Sequence, residues 1–158
     1  MYKETLIKLV KEELLQSSYE LLTEQVDPSK HYDFEHSRKN LWKFTDRNKL
    51  HHFITVHVSL YKEDKACEVK FGWIDSNNTL RYDKPPTYDE RIFNTHIYIF
   101  INEIIKYYSE YFDKFYLEAL DPLRHRLYRQ TLNKFLDKTK YNMEEKPNNT
   151  LVISPITS

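Results

Sequence analysis

Asp121, Arg124 and Tyr128 stand at i, i+3 and i+7 in a stretch that opens with Asp121-Pro122, and that spacing puts the three on one face of a helix. A guanidinium and a phenol one turn apart near a helix start can work together. Arg124 and Tyr128 together, with Arg129 further along, could hold a phosphate or carboxylate. The plainer alternative is a tyrosine that packs its ring and an arginine paired with Asp121. A second chemistry is open to His57-Val-Ser59, whose alternation puts both polar side chains on one strand face, as half of an acid-base pair around phosphorus. Its other half would be His96, but Thr95-His-Ile-Tyr98 offers tyrosine where a small hydroxyl is needed. His31, Asp33 and Glu35 alternate onto one face beside His36, yet side chains on a single strand diverge too little to enclose an ion, and no metal site is expected. Cys67 shares its face with Val69, Phe71 and Trp73 and reads as a buried small residue.

The elements that must position these groups are bounded by composition. The chain has 158 residues, 40% hydrophobic and 30% charged, which suits a single domain over 1–158 with one core. With 24 basic and 24 acidic side chains the net charge is zero, which argues against nucleic acid and anionic membrane as partners. A single cysteine excludes a disulfide framework, and with no long apolar run and no signal-peptide pattern the expected location is the cytoplasm. One glycine, Gly72, stands where about 7% usage would give roughly eleven, so glycine-dependent phosphate loops and nucleophile elbows are excluded.

Turns must come from Asn, Asp, Ser and Pro, and they divide the chain. Apolar spacing predicts an N-terminal amphipathic helix over 3–24. Period-two alternation from about 31 to 74 predicts an antiparallel meander. Thr87-Tyr-Asp-Glu90 reads as a capping box that starts a helix over about 88–112, although Thr95 to Ile101 is β-branched enough for a strand. A strand at 114–120, a helix over 122–139 with Asp121 as cap, and a C-terminal strand or hairpin at 141–153 complete an α+β chain.

That order of elements resembles the GNAT N-acetyltransferases, and the residue-level likeness lies in Asp121-x-x-Arg124-x-x-x-Tyr128, similar to their Asn-x-x-Ala-x-x-x-Tyr helix. The resemblance implies a degenerate GNAT-like layout and casts Tyr128 as the group that protonates the departing coenzyme A thiolate. Where those enzymes carry a glycine-containing pyrophosphate loop, this chain has Lys84-Pro-Pro-Thr-Tyr-Asp-Glu90. The pattern also resembles small phage and Bacteroidetes proteins of no assigned activity.

Aromatics are the positive anomaly: 13 Tyr, 9 Phe and 2 Trp. Tyr107, Tyr108, Tyr111 and Phe112 lie on neighbouring helical rows, so aromatic surface is expected beyond the core stripe, suited to a protein partner or a second copy. Coding bias would produce the same composition. The expectation is therefore a non-enzymatic binding or accessory protein without a cofactor. The alternative is an acyltransferase that takes acetyl-coenzyme A at an atypical site.

Overall fold

The computed structural model describes residues 27–58, 65–83, 85–86, 89–119 and 122–156, together with Lys3, Thr5 and Leu6. Alternating apolar residues build β2 (Leu41–Thr45), β3 (His51–Val58) and β4 (Ala66–Ile74), and the mostly polar β1 (Phe34–Arg38) precedes them, each strand antiparallel to the next. The register sets Trp42 opposite Ile54 and Ile54 opposite Phe71, so Trp42, Phe44, Ile54, Val56, Cys67 and Val69 share one buried face. A two-residue strand, β5 (Leu80–Arg81), folds back on the end of β4 with Arg81 opposite Trp73.

Gly72 is what lets β5 come so close. A methyl group there would lie 3.1 Å from the Arg81 carbonyl oxygen and 3.1 Å from Leu80 Cδ1. The tight turns do without glycine. Lys49, Lys65, Asn78, Asn148 and Asn149 take φ between 55° and 64°, a region that strains side chains other than asparagine.

The central helix follows as α1 (Glu90–Tyr98), a π-helical segment Ile99–Ile105 and a last α turn Lys106–Tyr108. The π segment answers the side chains: Ile99, Phe100, Ile104 and Ile105 are all buried, and residues five apart stack only where each turn closes at i+5. Both ends of the helix are tied to the sheet. Asp89 caps its start, its Oδ1 accepting from Ile92 N at 2.7 Å and its Oδ2 accepting from the Tyr32 hydroxyl at 3.0 Å. At the other end the Tyr108 hydroxyl donates to the Lys39 carbonyl. The helix therefore runs back along β4 and starts at the Trp73 end of the sheet.

β6 (Lys114–Glu118) then lies parallel to β4, α2 (Pro122–Phe135) returns over the same face, and β7 (Tyr141–Lys146) and β8 (Thr150–Pro155) close as a hairpin with β8 against β6. The strand order is β1-β2-β3-β4-β6-β8-β7, with β5 alone on the end of β4. One core holds the inner sheet face, the central helix and α2, from Phe93 and Phe100 through Phe115 to Leu127 and Leu132. Among the described residues no helix is long and apolar enough to cross a membrane.

This corrects the expected α+β, GNAT-like layout. The described chain is mostly sheet, one mixed sheet of eight strands with two helices, and the helix expected over 3–24 lies outside the described residues apart from Lys3, Thr5 and Leu6. The physical reason is continuity: Phe115 and Leu117 face the core between Cys67 and Val69 on one side and Leu151 and Ile153 on the other, so the meander and the C-terminal hairpin fuse through β6. The central helix starts at Glu90 under an Asp89 cap, with Thr87 outside the described residues, and ends at Tyr108. α2 stops at Phe135 because Asp137 turns the chain, its Oδ1 accepting from Thr139 N and its carbonyl from Lys140 N.

Candidate functional site

Parallel pairing between β4 and β6 runs from Ala66 opposite Lys114 to Val69 opposite Leu117 and stops there. Pairing on the same edge of β4 resumes only at Trp73, with β5. Lys70, Phe71 and Gly72 thus lack a strand partner on that edge among the described residues, while β6 turns with β8, Ala119 N donating to the Asn149 carbonyl. The strands part at their C-terminal ends, the place where open sheets with parallel strands receive ligands. The gap is a cleft of about 200 Å³ lined by Lys70, Phe71, Tyr82, Glu118, Ala119, Arg124 and Tyr128.

Each wall follows from a local rule. Tyr82 arrives because Gly72 admits β5, and Lys70 Nζ lies 5.6 Å from the centre of its ring. α2 begins where β6 ends, with proline at its first position, so Arg124 in the first turn and Tyr128 one turn on face the gap. Tyr128 is 3% exposed, its ring stacked on Phe93 with centroids 5.5 Å apart and tilted against Phe71 at 5.5 Å. It therefore packs in the core and lines the cleft at once. Arg124, 8% exposed, brings a guanidinium to the same wall.

Behind Phe71 lies a buried histidine pair. His96 stacks on Phe71 at 4.4 Å and meets His52 edge-on at 6.2 Å. His52 in turn bonds through Nε2 to Asp46 Oδ2 at 3.0 Å, with both side chains almost wholly enclosed. Asp46 also accepts from Asn48 N and Leu50 N. Burial holds His96 well below the ordinary imidazole range, with His52 and Arg124 pushing the same way. Burial lowers His52 too, against the opposing pull of Asp46. Both rings are thus neutral at pH 7. Cys67, fully buried, has its thiol pushed up to about 12 by burial and Glu68, which leaves no thiolate for nucleophilic work.

The other residues singled out from sequence lie elsewhere. Arg129 is partly exposed and reaches Glu145 on β7 at 3.0 Å, as does His125 at 2.9 Å, so Arg129 braces α2 against the sheet edge and does not line the cleft. Tyr108 is a core residue and Phe112 is partly buried against the core, which leaves Tyr107 at 43% and Tyr111 at 60% exposure as the aromatic surface. His57 is exposed on the sheet face opposite His96, so the two cannot flank one phosphorus. His31 stacks on Tyr98 at 4.0 Å, and among the described residues no group of metal-ligating side chains gathers.

Arg124 and Tyr128, singled out from the sequence, both line the cleft, whereas Phe71, Tyr82 and Glu118, which line it with them, and His52 behind it carried no such expectation. For His52 a signal existed: Ile54 and Val56 alternate on the buried face, and one step back in the same register is His52. Comparison of the chain with protein-family models, curated proteins and solved structures finds no match.

Proposed function

We propose that the cleft between β4 and β6 takes an acyl thioester on a pantetheine-like arm, as acetyl-coenzyme A carries, and that the chain transfers the acyl group to an amine. The observation that carries this reading is the parting of the two parallel strands with Tyr128 in the wall of the gap. An extended arm with amide groups suits the edge of Lys70 to Gly72, which has no strand partner among the described residues and whose backbone donors and acceptors would serve it as they would a peptide strand. The acceptor nitrogen attacks the thioester carbonyl carbon and forms the C–N bond. Collapse of the adduct breaks the C–S bond, and the departing sulfur takes the Tyr128 hydroxyl proton. The tyrosinate regains a proton from the acylated nitrogen, so the net products are an amide and a free thiol.

Thermal unfolding with and without millimolar acetyl-coenzyme A tests the binding step. A ligand at 100 times its dissociation constant adds about 2.7 kcal/mol, worth roughly 5–10 °C at this chain length. No rise at any concentration reached would sink the reading. Where thioester consumption is seen with an amine present, Tyr128→Phe keeps the ring between Phe71 and Phe93 and should slow thiol release by about 10²–10⁴.

A second reading keeps a non-enzymatic binding role in the cytoplasm, with a protein partner or a second copy held on the central helix. It is favoured by the exposure of Tyr107 and Tyr111. Light scattering on the purified chain at rising concentration, repeated on Tyr111→Lys, tests the self-association arm: a strict monomer in both removes it.

A further inference from the structure

Resting on the thioester reading, we infer that the acceptor is an α-amino acid, its carboxylate held by Arg124 and its amino group drawn to Glu118, so that the product is an N-acylamino acid. The cleft carries charge of both signs. Arg124, 8% exposed, lines it one turn before Tyr128, and Glu118, exposed at the end of β6, lines it with Lys70. A guanidinium offers several N–H donors in a planar fork that matches a carboxylate, and so serves a ligand beside any contact it already makes within the protein. The first turn of α2 sets no acidic side chain against such a ligand, and the helix dipole favours an anion there. Lys70, the other cation of the lining, reaches Glu68 at 4.0 Å and lies 5.6 Å from the centre of the Tyr82 ring, so it adds positive field while Arg124 gives the buried contact. Of the described lining residues Glu118 alone is acidic, which suits the ammonium end of a zwitterion.

The spacing selects an α-amino group. Arg124 and Tyr128 are four apart on α2, which sets their Cβ atoms about 5–6 Å apart. In an amino acid the α-nitrogen lies roughly 2.5 Å from the carboxyl carbon. A carboxylate on Arg124 therefore keeps that nitrogen beside a thioester whose sulfur faces Tyr128, whereas an amine at the far end of a long side chain would be carried past it. The zwitterion first gives one ammonium proton to water. The nitrogen then forms the C–N bond, the C–S bond breaks, the sulfur takes the Tyr128 proton and the acylated nitrogen returns one to the tyrosinate. An N-acylamino acid, a free thiol and one released proton result.

The test is thiol release from acetyl-coenzyme A with each standard amino acid in turn and, in parallel, with the amine left when its carboxyl group is removed. At least one amino acid should react with a kcat/KM about ten- to a hundredfold above that of its decarboxylated counterpart, the worth of a charge-assisted contact. Arg124→Gln should collapse that ratio to within about threefold of unity by raising KM for the amino acid. The comparison of amino acid with amine is made on the unaltered chain, so it stands even where Arg124→Gln fails to fold. Amines that react as fast as their amino acids, or no thiol release with any amino acid while acetyl-coenzyme A still raises the melting midpoint, would overturn the inference and leave the thioester reading intact. Acetyl-coenzyme A that gives no rise in the midpoint sinks the thioester reading, and the inference with it.

Discussion

Acidifying the protein should begin to destabilise it before its carboxylates titrate, because His52 and His96 are buried as neutral rings. In the unfolded chain each takes a proton near 6.5; in the folded chain burial depresses both, His96 more strongly, since His52 has Asp46 beside it. Stability is therefore complete above pH 6.5 and is lost as pH falls from there toward the folded values. Each histidine that stays neutral in the fold contributes a slope of at most about 1.4 kcal/mol per pH unit, so the pair costs at most about 2.8 kcal/mol per unit below pH 6. Carboxylates held low in the fold, such as Asp27, Asp137 and Glu145, lose their contribution only below the usual carboxylate range, which leaves pH 5–6 to the histidines. Urea denaturation at half-unit steps from pH 7.5 to 5 gives the slope. His96→Phe, which keeps a ring against Phe71, should flatten it by close to one proton. A slope below half a proton between pH 6 and 5, or one that His96→Phe does not change, would refute the assignment of buried neutral imidazoles.

Other outcomes follow from single contacts. Gly72→Ala sets a methyl 3.1 Å from the Arg81 carbonyl oxygen, a backbone atom that cannot swing away; a loss of about 1–3 kcal/mol in urea denaturation is expected, together with weaker thioester binding as Tyr82 shifts. Lys49→Gly relieves a φ of 64° in the turn between β2 and β3 and should raise the melting midpoint by about 2–4 °C, the equivalent of roughly 1 kcal/mol at this length. Asp46→Ala removes the acceptor of Asn48 N, Leu50 N and His52 Nε2 and should destabilise by several kcal/mol, read by the same denaturation, because a buried donor is left unsatisfied.

What the sequence discloses of this fold depends on the range over which each feature is encoded. The alternation from Trp42 to Trp73 is local, and β2 to β4 can be read from it, whereas β1, with Phe34 its one apolar residue, shows none. The parallel join is not local. Phe115 and Leu117 alternate in the same way whether their neighbour runs with them or against them, so nothing in Lys114 to Glu118 announces that β6 will lie parallel to β4. β5 is two residues long, too short for any period to register. In the central helix the spacing of five between Ile99 and Ile104, and between Phe100 and Ile105, was present, but a search at 3.6 residues per turn passes over it. The candidate site was half legible for the same reason. Arg124 and Tyr128 share a helix and can be paired on spacing, whereas Phe71, Tyr82 and Glu118 come from three separate strands or loops and meet them only because β4 and β6 part.

That parallel join also sets the order in which the protein can be made. β1 to β4 can pair as each leaves the ribosome, since every contact is with the strand just before it. β6 must wait for the central helix to cross back, and its far edge stays open until Thr150–Pro155 emerges and lies down beside it. Until then the nascent chain presents an apolar strand, Phe115 to Leu117, with unpaired backbone along one side, the kind of edge that captures other chains. β8 is thus what covers the open edge of β6, and yield in the cell should depend more steeply on β8 than on β1.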